Sequence, residues 1–196
     1  MKQDAQVESE VIRDSLPCHR AGGKDPSEQQ GETEEDDAES LQSLRKAAEQ
    51  DDPEALFELF MLLQERDEPG DDAESFRCLR KAAELGYIEA QIALGYRYAN
   101  GHGLPQDDVE AAHWNRMAAE QGSAEAQYEL GCAYENGWGV EMDTGEAIRW
   151  YGMAAKQSDS ESAEALKRLG LDVDEVVADL EARRKRIGEG VEEIAG

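Results

Sequence analysis

The sequence has few aromatic residues and lacks any long run of apolar residues. Aromatic residues make up 6% of its 196 residues. A membrane-spanning helix needs about 20 consecutive, mostly apolar residues, and a secretory signal needs a contiguous apolar stretch near its start. Neither pattern is present, so the sequence predicts a cytoplasmic protein with no direct membrane insertion.

Positive charge is also scarce. Lys and Arg number 20 against 46 Asp and Glu, which gives a formal net charge of −26. Nucleic-acid phosphates and anionic membrane surfaces both attract basic residues, so we expect neither as a partner. The acidic surplus leaves two interpretations open: a solvated surface that keeps the chain in solution, or a site for a basic partner.

Cysteines and catalytic motifs are sparse as well. Cys18, Cys78 and Cys132 form an odd set at unrelated positions, which favours reduced thiols over a disulfide framework. The sequence has no His-Glu-x-x-His motif, phosphate-binding loop or Gly-x-Ser-x-Gly motif. No cysteine has a convincing base partner. We therefore expect no catalytic residue, no metal and no cofactor.

What the sequence does contain is a repeat of 36 residues. Gly95 recurs as Gly131, and Trp114 recurs as Trp150. A similar offset of 35 residues relates 36–49 to 71–84. Periods of this length indicate stacked supersecondary units that bury their apolar faces against one another. The other residues of the first copy that recur are Ala82, Gly86, Ala90, Tyr98, Gly101, Gly103, Asp107, Ala111 and Ala118.

Each unit has the pattern of two helices. Ser123 is a plausible N-cap of the first helix in the best-matched unit, and Gly137 ends that helix. Asp143 or Thr144 then caps the second helix. Gly122 is a natural left-handed terminator of the second helix in the preceding unit.

Small residues on the first helices predict close packing between helices. Gly95 and Gly131 would let a neighbouring helix approach, and Trp114 or Trp150 would fill the space opposite. In the earliest unit Phe60 stands where the glycine would be. We therefore expect that unit to pack less tightly.

The carboxy-terminal segment predicts a helix that closes the stack. Asp172 and Glu175 form a capping pattern. An apolar face follows, and basic residues lie near the helix end, where cations complement the helix dipole. A terminal unit with a polar outer face fits this position; a basic docking site is the alternative. The apolar residues are Val173, Val176, Val177, Leu180 and Ile187, and the basic ones are Arg183, Arg184, Lys185 and Arg186.

The pattern Ala-Glu-Ala-Gln-x-x-Leu-Gly-x-x-Tyr-x-x-Gly-x-Gly at 124–139, followed by Asp143, Ala147 and Trp150, resembles the SEL-one-like repeat, a relative of the tetratricopeptide repeat. The resemblance implies an all-α, right-handed solenoid of antiparallel helix pairs with a C-terminal capping helix. We expect the solenoid at 35–170, the capping helix and a short tail at 171–196, and a disordered acidic tail at 1–34.

The resemblance also implies a function as a monomeric scaffold or adaptor for another protein. In such solenoids the first helices line the concave surface, which would bind a peptide or helix with apolar anchors and basic flanks. The same side chains could instead pack between helices. The alternatives are an acidic inhibitor that mimics a polyanion and, less favoured, a β-lactam-binding or hydrolysing enzyme. The expected partner-binding residues are Phe57, Met61, Ile92, Tyr96, Tyr128, Cys132, Glu89, Glu125, Asn100 and Asn136.

We expect salt to raise the melting temperature of this chain. Its acidic groups repel one another, and the screening length falls from about 30 Å at 0.01 M salt to about 10 Å at 0.1 M. Differential scanning calorimetry across this range measures the effect, with sucrose at equal osmolality as the control. A melting temperature that falls as salt rises would contradict the expectation.

Overall fold

The structure is a computed structural model that describes residues 34–66 and 71–195, and these ranges are helical with short connections. The predicted tail at 1–34 lies outside the described residues except for Glu34, which begins the first helix. The helices of the described ranges are α1 (Glu34–Ala48), α2 (Pro53–Arg66), α3 (Asp71–Glu84), α4 (Ile88–Asn100), α5 (Asp108–Glu120), α6 (Ala124–Asn136), α7 (Thr144–Ala155), α8 (Ser160–Arg168) and α9 (Val173–Ala195).

The helices pair in chain order and form two rows. The most extensive contacts join α2 with α3, α4 with α5 and α6 with α7. Even-numbered helices also touch one another, as Glu135 of α6 and Arg168 of α8 do across 2.7 Å. In the other row, Arg45 of α1 pairs with Glu74 of α3 at 2.6 Å. This arrangement confirms the predicted all-α stack of helix pairs.

The helix ends follow the predicted capping chemistry. Ser123 Oγ accepts the backbone N–H of Ala126 at 3.2 Å. Asp143, rather than Thr144, is the N-cap of α7, and its carboxylate accepts the N–H of Gly145 at 2.8 Å. Gly137 ends α6 in the left-handed region with φ of 72°, a conformation that costs glycine little.

The close approach at the two repeat glycines is confirmed, but the predicted opposite residue is wrong. A Cβ added to Gly131 would lie 2.6 Å from Tyr151 Cε1, and one added to Gly95 would meet the Asn115 side chain. The residue that faces each glycine, Asn115 or Tyr151, comes directly after the repeat tryptophan in the sequence. Because successive helical residues turn by about 100°, the tryptophan points elsewhere, and Trp114 packs in the same core cluster as Leu79 of the preceding unit.

Buried glutamines link three successive helices in the two central units. Gln91 donates to the carbonyl of Ala83 at the end of α3 and accepts from Gln121 at 2.8 Å. Thirty-six residues later, Gln127 donates to Ala119 O at 3.1 Å and accepts from Gln157 at 2.9 Å. Gln91 and Gln127 are 0% and 2% exposed, so these hydrogen bonds satisfy amides that would otherwise be costly to bury.

The end units lack this glutamine. The equivalent positions hold Leu56 in α2, 35 residues before Gln91, and Ala163 in α8, 36 residues after Gln127; Leu56 is buried and Ala163 is half-buried. Phe60, which replaces the glycine in α2, is also buried at 4% exposure. The first unit therefore fills its core with larger apolar side chains.

Helix α9 closes the carboxy-terminal end of the described stack by packing on α7 and α8. Asp172 Oδ1 accepts the N–H of Glu175 at 3.0 Å, as the capping pattern predicted. A Cβ on Gly152 of α7 would lie 2.6 Å from Leu180 and 2.8 Å from Val176 of α9. The equivalent position of the preceding unit holds Arg116, so the absence of a side chain at Gly152 makes room for the closing helix.

Two cysteines lie in the described ranges, and both are buried free thiols. Burial raises the pKa of the Cys78 thiol, and the nearby Glu74 carboxylate adds to this effect. Cys132 is fully buried. Since the thiolate is the reactive form, the surroundings of Cys78 disfavour reaction at that thiol.

We expect Gln127→Met to lower the free energy of unfolding by about 1–3 kcal/mol, because it removes a buried hydrogen-bonded link between units. Urea unfolding followed by circular dichroism measures this change. Gln106→Met is the matched control: Gln106 also donates to a backbone carbonyl, that of Ala99 at 3.1 Å, but it is exposed, so its loss should cost less than about 0.5 kcal/mol. Equal costs at the two positions would contradict the role assigned to the buried link.

Candidate protein-binding surface

The predicted partner-binding residues lie on the even-numbered helices, and only some of them reach solvent. We call the outward sides of α2, α4 and α6 the first-helix face. Tyr96 of α4 is 47% exposed. Phe57, Met61 and Ile92 are half-buried and pack their inner sides on the core. These four keep surface that a partner could touch.

The structure corrects the place of Tyr128 and Cys132 in the predicted row. They are 5% and 0% exposed and therefore lie in the core. The rings of Tyr128 and Tyr151 are 5.8 Å apart, and the Tyr151 hydroxyl lies 3.3 Å from Cys132 Sγ and donates to Glu135 at 2.7 Å. The alternative interpretation, packing between helices, holds for these two residues.

Asn100 and Asn136 stand at the ends of α4 and α6, where their amides are already engaged. Asn100 Nδ2 donates to Tyr96 O at 2.9 Å, and Asn136 Nδ2 donates to Cys132 O at 2.8 Å. Each bond reaches the carbonyl four residues earlier, in the last turns of the same helix. These bonds stabilise the helix ends, whatever else the amides contact.

Aromatic side chains gather where α2 meets the start of α4. The ring centroids of Phe57 and Tyr87 are 5.3 Å apart, and those of Phe57 and Phe60 are 5.6 Å apart. Arg97 lies over the Phe60 ring at 5.0 Å and hydrogen-bonds to Gln64 of α2. Burial lowers the pKa of Arg97. The two helices are therefore held together by tilted ring contacts and a half-buried guanidinium.

Tyr87 is a site residue that the sequence analysis missed. It is the N-cap of α4, but its side chain accepts no capping hydrogen bond. Burial raises its pKa, and the negative charges of Glu89, Glu54 and Glu58 raise it further. Its position in the sequence could have indicated this role, because Tyr87 directly precedes a helix, where a small polar capping residue is usual.

Exposed glutamates run beside the apolar row. Glu54, Glu89 and Glu125 occupy equivalent first-turn positions of α2, α4 and α6, and all three are exposed. Glu58 lies one turn after Glu54 and is exposed as well. Among the residues that the structure describes, Glu54, Glu58 and Glu89 have no ion-pair partner.

An open groove of about 1060 Å³ is lined by α7, α9 and the turn that follows α5. Its cations are paired locally: Arg149 with Glu146 at 3.1 Å and Lys156 with Glu181 at 2.8 Å. Arg183 is similarly paired with Asp179 of its own helix. Each of these three cations is therefore compensated by a neighbouring carboxylate.

The structure also bears on metals and membranes for the part of the chain that it describes. There, no group of three or more His, Cys, Asp or Glu side chains is arranged to hold a metal ion. Each helix in these ranges is too short or too polar to span a lipid bilayer.

Solved structures similar to this chain share its repeat architecture. A Sel1 repeat protein from Oxalobacter formigenes is 39% identical, with a TM-score of 0.62 over 65% of this chain and 97% of that one. A protective antigen of uropathogenic Escherichia coli strains that displays an SLR fold is 35% identical, with a TM-score of 0.60 over 64% of this chain. This chain spans 27% of the antigen's length.

A third similar structure is Helicobacter pylori cysteine rich protein B, which matches with a TM-score of 0.54 over 69% of this chain and 98% of that one. It is 22% identical and shows the fold alone. Among curated proteins, none matches the chain.

The family model of the Sel1 repeat matches residues 27–52, 53–87, 88–123 and 124–159. The last three matches coincide with the helix pairs α2–α3, α4–α5 and α6–α7. Because these matches cover more than half of its length, the chain belongs to the Sel1 repeat family, whose members are typically non-enzymatic scaffolds for protein binding.

Proposed function

We propose that this protein is an adaptor that binds a peptide or a helix of another protein on its first-helix face. The observation that carries the proposal is Tyr96, a large aromatic side chain left 47% exposed on a strongly charged surface. Aromatic residues are enriched at protein interfaces and often dominate their binding energy.

The Tyr96 side chain is also held in place. Its ring makes an edge contact with His102 in the loop after α4, with 5.4 Å between the ring centroids. A side chain that is already ordered loses less conformational entropy when a partner binds. This contact supports Tyr96 as a preformed anchor point.

The apolar row continues beyond one unit. Ile92 lies one turn before Tyr96 on α4, and Phe57 and Met61 extend the row onto α2. A surface that crosses neighbouring helices suits an extended peptide or an amphipathic helix, since both present apolar side chains at regular intervals. Glu125 of α6, exposed beside the row, would contact the polar side of such a partner.

We expect Tyr96→Ala to weaken partner binding by about tenfold or more, as loss of an interface anchor does. The partner is captured from cell extract with the full chain, identified by mass spectrometry and titrated by isothermal calorimetry. Val109→Ala is the matched control, because Val109 is 64% exposed on α5 in the other row. Capture that survives Tyr96→Ala, or that is lost equally with Val109→Ala, would place the interface elsewhere.

Thermal unfolding separates binding from folding. Tyr96→Ala should leave the melting temperature nearly unchanged, because its ring is half in solvent. Tyr128→Ala, which empties a buried site at 5% exposure, should cost about 3–5 kcal/mol of stability.

A further inference from the structure

We infer that the surface where α2 meets α4 binds an arginine or lysine side chain of the partner. This inference rests on the proposed function and specifies the chemistry of one end of the same interface. We call this surface the junction patch. It consists of Glu54, Phe57, Glu58, Tyr87 and Glu89.

The junction patch has two aromatic rings at its base. The Phe57 and Tyr87 rings are tilted by 47° with their centroids 5.3 Å apart. Both residues are half-buried, so part of each remains accessible. The face of an aromatic ring attracts a cation placed within about 6 Å of its centroid.

Three carboxylates from two helices lie near Tyr87. Glu54 and Glu58 come from α2 and Glu89 comes from α4. All three act on the same hydroxyl, that of Tyr87, whose pKa they help to raise. None has an ion-pair partner among the described residues. The negative charge at the junction patch is therefore concentrated and uncompensated within the described chain.

Helix capping alone does not account for this charge. Glu54 and Glu89 lie in first turns, where carboxylates complement the helix dipole, but Glu58 lies mid-helix. Two carboxylates at other junctions between units are paired with arginine: Glu74 with Arg45 and Glu135 with Arg168. Arg97, the cation at the α2–α4 contact, lies over Phe60 and hydrogen-bonds to Gln64 rather than pairing with these carboxylates. A basic side chain of the partner therefore fits the junction patch.

The spacing on α4 also constrains the partner. Glu89 and Tyr96 are seven residues apart, two turns on one face of the helix, which corresponds to about 10 Å. An extended peptide covers this distance in about three residues, and a helical partner covers it in about seven. We therefore expect a basic residue about three positions from an apolar anchor in an extended partner.

The test is selection from a random dodecapeptide phage library on the full chain at physiological salt. Selected peptides should be enriched in Arg or Lys about three positions from an aromatic or aliphatic residue. In fluorescence anisotropy, the variant Glu54→Gln/Glu58→Gln/Glu89→Gln should bind a selected peptide about tenfold more weakly, as expected for the loss of several ion pairs.

A matched variant controls for the overall charge of the protein. Glu120→Gln/Glu141→Gln/Glu175→Gln removes three exposed carboxylates and leaves the same net charge as the junction variant. Its affinity should change by less than about twofold, since exposed charges beyond a Debye length are screened. Phe57→Leu should weaken binding by about threefold through the loss of a cation–π contact.

The outcomes distinguish the two proposals. Selected peptides that lack a basic residue, or that bind the two triple variants equally, overturn the junction patch. The adaptor function stands in that case if Tyr96→Ala still weakens binding by about tenfold or more. A selection that yields no peptide dependent on Tyr96 overturns the first-helix face, and the junction patch with it. Replacing the selected arginine with citrulline, its neutral isostere, should reproduce the loss seen with the junction variant.

Discussion

The stack depends on the contact between the first helix of each unit and the second helix of the unit before it. Ala90 and Leu94 meet Ala82 and Ala83 in one core cluster, and the same contact recurs 36 residues later in another. Alanine side chains allow the helix backbones to approach, and a buried glutamine spans the contact to hydrogen-bond to the earlier helix. Such arrays gain stability unit by unit, from each repeat and its neighbour contacts.

This contact also decides which side of each first helix remains available. Because one side of α4 is buried against α3 and α5, the proposed contact residues Glu89, Ile92 and Tyr96 lie on the side that keeps access to solvent. On a chain with a formal charge of −26, large exposed apolar side chains are notable. In the described residues they are Leu85, Tyr96, Val109 and Met142.

The repeat, the caps and the helix pairs could be predicted because they depend on local chemistry that recurs at a fixed offset. The burial of individual side chains could not, because it depends on what the neighbouring helix supplies. The residue opposite the repeat glycine is Asn115 in one unit and Tyr151 in the next. The larger Tyr151 reaches Tyr128 and Cys132. From the repeat alone, these two residues would be expected on the same exposed row as their equivalents Ile92 and Tyr96.

Departures from the repeat, rather than the repeat itself, create the chemical character of the proposed site. Phe60 stands where later units have glycine, and it packs against Phe57 and under Arg97. Tyr87 stands where the next unit has the capping Ser123. These two replacements bring aromatic rings to the α2–α4 junction, and Glu58 adds charge beyond what capping requires. The regular contacts fix the helices in register, so a few such changes suffice to make one junction chemically different from the others.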